Sequence, residues 1–114
     1  MGHVFLTAAR NEVRILDAFL GEFEATVREA GLTDVTLWVV DDLSVDGTRE
    51  RLEARAAQEG PFRLRVVAAP TNLGNQGAMH WGLARCEVGP DDVLVTFDCD
   101  GEDDVRSMRD RLAA

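Results

Sequence analysis

The chain is poor in the residues that build disulfide scaffolds, zinc sites and nucleic-acid surfaces. Its 114 residues include only two cysteines and two histidines, without the spacing of a disulfide framework or a zinc signature. The lack of a disulfide framework favours a reducing compartment. Basic residues are also fewer than acidic ones. The chain has 12 basic and 21 acidic residues, which gives a net charge of −9. This balance argues against unspecific nucleic-acid binding and against docking on anionic lipid.

Long apolar runs and targeting segments are likewise missing. No run approaches the roughly 18 apolar residues that a membrane-spanning helix needs. The first residues lack a charged leader followed by a long apolar region, so no secretory signal is expected. The length and the apolar content of 46% predict one soluble domain over residues 1–114.

Apolar strands alternate with amphipathic helices along the chain. An order β-α-β-α-β-α-β-α predicts an α/β fold with a Rossmann-like, mostly parallel sheet and helices on both faces. The carboxyl ends of all strands then lie at one edge of the sheet, where such folds bind ligands. We expect strands at 3–8, 35–40, 64–68 and 93–97, and helices at 12–30, 48–59, 77–86 and around residues 105–112.

Carboxylates follow two of the predicted strands. Asp41 and Asp42 end the second strand, and we expect one of them to accept hydrogen bonds from a base or a ribose. Asp98 and Asp100 end the fourth strand, where a turn can bring both carboxylates onto one Mg²⁺ or Mn²⁺, with Glu102 as a further ligand. Such a cation would neutralise a diphosphate.

The other polar motifs after the strands have structural explanations beside functional ones. Ser44 and Asp46 are expected to cap the helix that follows them. The loop 8–12 offers backbone amides and Glu12 to a nucleotide, or is simply a loop with an acidic first helical turn, which the helix dipole favours.

Small residues recur every four positions in the third predicted helix, at Gly74, Ala78 and Gly82. They predict a flat helix face packed closely on the sheet, although amides at the helix start can also face a phosphate. Cys99, between two aspartates, is expected to be a small buried filler rather than a catalytic thiol.

These motifs, in their order and spacing, resemble the nucleotide-sugar-binding half of family 2 glycosyltransferases of GT-A fold, notably the dolichyl- and polyprenyl-phosphate mannosyltransferase type. The family pattern is Pro-Thr-Tyr-Asn-Glu, Val-Val-Asp-Asp-x-Ser-x-Asp-Gly-Thr, Asn-x-Gly and Asp-Ala-Asp-x-Gln. The matching segments here are 8–12, 39–48, 72–74 and 98–102. In this chain Ala8, Arg10 and Glu102 replace the proline, the tyrosine and the glutamine of the pattern.

The resemblance implies a metal-assisted, inverting transfer from a nucleotide-diphospho-sugar to a polyprenyl phosphate or a glycan. It assigns Asp98, Asp100 and Glu102 to a Mg²⁺ or Mn²⁺ ion and leaves the catalytic base unassigned. Family members continue well past the Asp-x-Asp segment, so we expect a donor-binding portion, cytoplasmic, whose membrane contacts lie in other parts of the protein. The residues implied at the nucleotide sugar are Ala8, Arg10, Glu12, Val40, Asp42, Asp98 and Cys99.

Three other functions remain open on the sequence alone. Asp98-Cys99-Asp100-Gly101 resembles the nucleophile motif of haloacid-dehalogenase-type phosphatases, although that motif normally opens a chain. A receiver-like signalling domain fits the length, although its acidic pair should follow the first strand. A nucleotide-sugar-binding domain without catalytic activity is the third.

Overall fold

The structure is a computed structural model that describes residues 2–97. Seven elements follow one another there in the order β-α-β-α-β-α-β, which confirms the predicted alternation over this range. The predicted last helix lies outside the described residues. The elements are β1 (His3–Ala9), α1 (Val13–Glu29), β2 (Val35–Asp41), α2 (Thr48–Ala56), β3 (Arg63–Ala68), α3 (Gly74–Leu83) and β4 (Val93–Thr96).

The four strands form one parallel sheet in the order β3-β2-β1-β4. Ala9 at the end of β1 pairs with Asp41 at the end of β2, which pairs with Ala68 at the end of β3. On the other side of β1, the N–H of Phe97 donates to the carbonyl of Leu6 at 3.1 Å. The strand order therefore reverses between β1 and β4, and open α/β sheets bind ligands at the carboxyl side of such a reversal.

The face of the sheet that packs against α1 and α2 holds all five phenylalanines of the chain. The ring centroid of Phe23 lies 5.0 Å from that of Phe5 and 4.8 Å from that of Phe62, both edge-on. Phe19 lies 5.7 Å from Phe97. Each pair contributes about 0.5–1.5 kcal/mol beyond the apolar area it buries, so the cluster holds α1 firmly over β1 and the end of β4.

On the opposite face, α3 lies close to the sheet because of its small residues. Ala78 is fully buried, and a Cβ added to Gly82 would come within 2.6 Å of Val40 Cγ2 and 3.0 Å of Leu6 Cδ1. The predicted flat face is thus confirmed at these two positions. Gly74 has another role, since open space surrounds it and its φ of +74° is one that glycine adopts without strain.

Two helices depart from their predicted bounds by more than one residue. The sequence pattern predicts a helix over 77–86, whereas α3 begins at Gly74 and ends at Leu83. The cause is tertiary, because the carboxylate of Asp42 bonds the N–H groups at the start of this helix. The helix α2 ends at Ala56, before the predicted end at residue 59, since no side chain after Leu52 in this segment is buried.

Candidate functional site

The loops after β1, β2 and β3 meet at the carboxyl edge of the sheet, and we call residues 10–12, 42–47 and 69–73 the rim. Their meeting follows from the parallel strands, whose ends are aligned by register. The predicted convergence of polar motifs is therefore confirmed for three loops. The strand β4 directs its carboxyl end to the same edge, while the segment 98–102 lies outside the described residues.

Side chains from the loop after β2 and from the start of α2 bond the turn before α1 and its first N–H groups. Ser44 bonds the turn before α1, and the expectation that it caps the helix after it is wrong. Because these amides already have partners, they are not free to hold a phosphate. The three bonds run from the N–H of Asn11 to Ser44 Oγ (2.9 Å), from that of Glu12 to Thr48 Oγ1 (2.9 Å) and from that of Val13 to Asp46 Oδ2 (3.2 Å).

Asp46 joins both helices that leave the rim. Besides its bond to Val13 in α1, its Oδ1 accepts the N–H of Thr48 at 3.0 Å, so Asp46 bonds the first amide of α2 as expected, although the N-cap residue is Gly47. The hydroxyl of Thr48, then the N–H groups of Thr48 and Val13, lower the pKa of Asp46 below its ordinary value and outweigh the opposing desolvation. The exposed side chain is ionised at neutral pH, and the lowered pKa keeps it ionised further into the acid range.

Asp42 caps α3. Its Oδ1 accepts the N–H of Leu73 at 2.8 Å and its Oδ2 accepts the N–H of Gly74 at 3.0 Å, and the residue is only 3% exposed. A carboxylate has about four acceptor positions, so Asp42 retains capacity for a ligand. Two N–H groups at the start of α3 are therefore already bonded by the chain itself.

Asp41 lies on the opposite face of β2 and is 2% exposed. Its Oδ2 accepts the N–H of Ser44 at 3.3 Å, whereas its Oδ1 has no partner within residues 2–97. A buried carboxylate oxygen without a partner is costly and accepts readily from any donor that reaches it. Asp42 thus lies in the rim and Asp41 directly beside it, and both oxygens of Asp42 accept hydrogen bonds whereas only one oxygen of Asp41 does.

The structure places the other predicted nucleotide-sugar residues at or below the rim. Arg10 is exposed, Glu12 is half-buried before α1, and Ala8 is half-buried near the end of β1. The side chain of Val40 is fully buried in the core beneath α3. The remaining predicted residues, Asp98, Cys99, Asp100 and Glu102, lie outside the described residues.

Sequence reasoning missed the side chains that join the loops after β1 and β2. The clearest is Asn11, whose Oδ1 accepts the N–H of Val45 at 2.8 Å while its own N–H donates to Ser44. Its signal in the sequence is an asparagine where the first strand breaks, since asparagine tolerates the left-handed backbone of a tight turn.

Two features are not found in the part of the chain that the structure describes. Nowhere in residues 2–97 do three potential metal-ligating side chains come together. No helix in that range has both the length and the apolar character to cross a membrane.

A groove of about 640 Å³ lies at the opposite, amino edge of the sheet, beside Trp38 and Arg65, and contains none of the predicted site residues.

Comparison with known proteins identifies the same family that the sequence motifs resemble. The profile of the family described as Glycosyl transferase family 2 matches residues 5–112. An undecaprenyl-phosphate mannosyltransferase of Micrococcus luteus is 33% identical over 93 residues, which are 80% of this chain and 35% of that protein. The crystal structure of S. aureus TarS 1-349 aligns with a TM-score of 0.67 and 20% identity, over 99% of this chain and 32% of that one.

The two likenesses carry different weight. The chain spans about a third of the length of each of these proteins. At 20% identity, the likeness to TarS shows the fold alone, which is the α/β sheet of the GT-A type. The family match covers nearly the whole sequence, and the chain belongs to glycosyl transferase family 2.

Proposed function

We propose that this chain binds a nucleotide-diphospho-sugar at the rim and forms the donor half of a metal-assisted, inverting glycosyltransferase. Family membership supports the donor class. The 33% identity to an undecaprenyl-phosphate mannosyltransferase supports a polyprenyl phosphate as the acceptor. The observation that carries the proposal is the rim itself, where three loops meet beside the reversal of strand order.

The rim binds a diphosphate poorly by itself. Side chains of the chain already bond the N–H groups of Glu12 and Val13 at α1 and of Leu73 and Gly74 at α3, which leaves fewer helix-start amides for an anion. The carboxylates of Asp41, Asp42 and Asp46 repel phosphate oxygens. Arg10 is the one basic residue of the rim as defined above.

A divalent cation supplies the positive charge that the rim lacks for binding a diphosphate. The segment after β4 offers Asp98, Asp100 and Glu102, and carboxylate oxygens are the ligands that Mg²⁺ and Mn²⁺ prefer. When bound, such an ion stabilises the charge that develops on the leaving nucleoside diphosphate. The residues fit the ion in chemistry and in position along the chain, because β4 borders the reversal of strand order.

The remaining contacts follow the resemblance. Ala8, Arg10 and Glu12 line the nucleotide pocket on the side of β1. Asp42 accepts a hydrogen bond from the base or the ribose with the acceptor capacity that its capping role leaves over. Asp41, with its unpartnered Oδ1, is the alternative for this contact.

The rival functions receive less support. A receiver-like sheet places β1 between β2 and β3, whereas here β1 lies between β2 and β4. A phosphatase of the haloacid-dehalogenase type does not fit a family match that covers residues 5–112. A donor-binding domain without turnover remains the second candidate, because the chain spans about a third of its relatives.

Calorimetry tests the proposal directly. The 114-residue chain is titrated with UDP, GDP and GDP-mannose, each with Mn²⁺, with Mg²⁺ and with EDTA, and AMP serves as the control. We expect binding of at least one diphosphate nucleotide that depends on the cation, and none of AMP. Absence of binding for every nucleotide diphosphate would contradict the proposed donor site. A turnover assay with radiolabelled donor then separates an enzyme from a binding domain.

A further inference from the structure

We propose that Asn11 is a positioning residue that locks the loops after β1 and β2 together and thereby sets the donor pocket between them. This inference rests on the proposed function. Asn11 lies between Arg10 and Glu12, which are both expected to line the pocket. Asn11 itself is not among the residues expected at the donor.

The backbone of Asn11 makes the turn from β1 into α1. Its φ is +53°, in the left-handed region that asparagine tolerates better than most residues. This one backbone conformation therefore sets the directions in which the neighbouring side chains of Arg10 and Glu12 leave the turn. A change in the turn alters the placement of both neighbouring side chains at once.

Asn11 bonds the neighbouring loop in both directions. Its N–H donates to Ser44 Oγ at 2.9 Å, and its Oδ1 accepts the N–H of Val45 at 2.8 Å. The N–H and the Oδ1 of Asn11 thus bond two successive residues of the loop after β2. We call this pair of bonds the Asn11 clamp.

The loop that the clamp holds is not shaped for stability alone. Leu43 has a φ of +58°, which is unfavourable for a bulky side chain. Leu43 and Val45 are also 44% and 88% exposed, although both are apolar. A strained, apolar loop beside a ligand pocket indicates that its shape serves binding, and the clamp ties the middle of this loop to the turn after β1, beside the bonds of Asp46 and Thr48 to the start of α1.

The test compares two glycine variants of the full 114-residue chain. Asn11→Gly keeps the left-handed backbone accessible but removes the acceptor for Val45. Asp34→Gly is the matched control, since Asp34 has a φ of +54° and its side chain bonds Arg63 at the amino edge of the sheet. Thermal unfolding and the affinity for UDP or GDP with Mn²⁺ are measured for both.

We expect Asn11→Gly to weaken nucleotide binding about fivefold, the effect of one hydrogen bond, at a temperature where it is fully folded. Asp34→Gly should bind like the unchanged chain. Ser44→Ala should act in the same direction, and its effect with Asn11→Gly should be less than additive, because both break one clamp.

Three outcomes have distinct meanings. Equal nucleotide affinity of Asn11→Gly and Asp34→Gly would overturn the inference and leave the donor site standing. Weakened binding that is fully additive with Ser44→Ala would also overturn it, because the two residues would then act independently. No nucleotide binding by the unchanged chain would overturn the proposed function and this inference with it.

Discussion

The carboxylate of Asp42 accepts the backbone N–H of Leu73, thirty-one residues further along the chain, at 2.8 Å. It also accepts the N–H of Gly74. The residue that is expected to contact the base or ribose of the donor therefore also fixes the start of α3. In the proposed function, one buried side chain therefore links donor recognition to the packing of a helix on the sheet.

This link gives the first prediction. Asp42→Ala should lower the free energy of unfolding by about 1–3 kcal/mol, because two amides lose a charged acceptor. It should also weaken nucleotide binding about tenfold or more, through the lost contact with the base or ribose. Urea unfolding and calorimetry on the folded variant separate the two effects.

Asp41→Ala is the control for that experiment. If it weakens nucleotide binding while Asp42→Ala changes stability alone, the ligand contact belongs to Asp41, whose Oδ1 has no partner within residues 2–97. Asp42 would then be a structural cap only.

The second prediction concerns the closeness of α3 to the sheet. Gly82→Ala should destabilise the protein by about 1–3 kcal/mol, because the added Cβ meets Val40 Cγ2 at 2.6 Å in a packed core. Gly21→Ala, in the middle of α1 with nothing within 4 Å of the new Cβ, should stabilise it by about 0.5–1 kcal/mol. Denaturant unfolding measures both, and equal effects would contradict the close packing of α3.

The fold could be predicted from the sequence because it depends on periodic apolar patterns, which are local. The start of α3 could not, since Asp42 caps it from a distant loop. The partner of Ser44 was missed for the same reason. A serine near a helix start signals a cap, but the sequence does not say that its hydroxyl instead bonds the turn before the preceding helix. The acidic residues of the rim were found because they interrupt apolar strands.

The third prediction is a pH dependence that comes from Asp46. Its hydrogen bonds lower its pKa below the ordinary value of 3.8, so its contribution to stability is present above that value and is lost as the pH falls through the lower, folded pKa. Asp46→Asn should therefore be less stable than the unchanged chain near neutral pH, and the gap should narrow in acid. Urea unfolding at about pH 6 and about pH 3 measures the gap, and a gap of constant size would contradict this role.

The fourth prediction concerns catalytic competence. The chain alone should bind a donor yet transfer sugar poorly or not at all, since it spans about a third of the length of its relatives. Incubation of the purified 114-residue chain with nucleotide sugars and polyprenyl-phosphate acceptors measures this. Robust multiple-turnover transfer would show that these 114 residues suffice for catalysis.

In the proposed site, a cation held after β4 binds the donor diphosphate at the rim. The most direct test is calorimetry of UDP and GDP in Mn²⁺ with the double variant Asp98→Asn, Asp100→Asn. The matched control is Asp103→Asn, Asp104→Asn, which makes the same change in charge a few residues away. We predict that the first variant loses cation-dependent nucleotide binding and that the control retains it, whereas equal binding by the two variants would contradict the account.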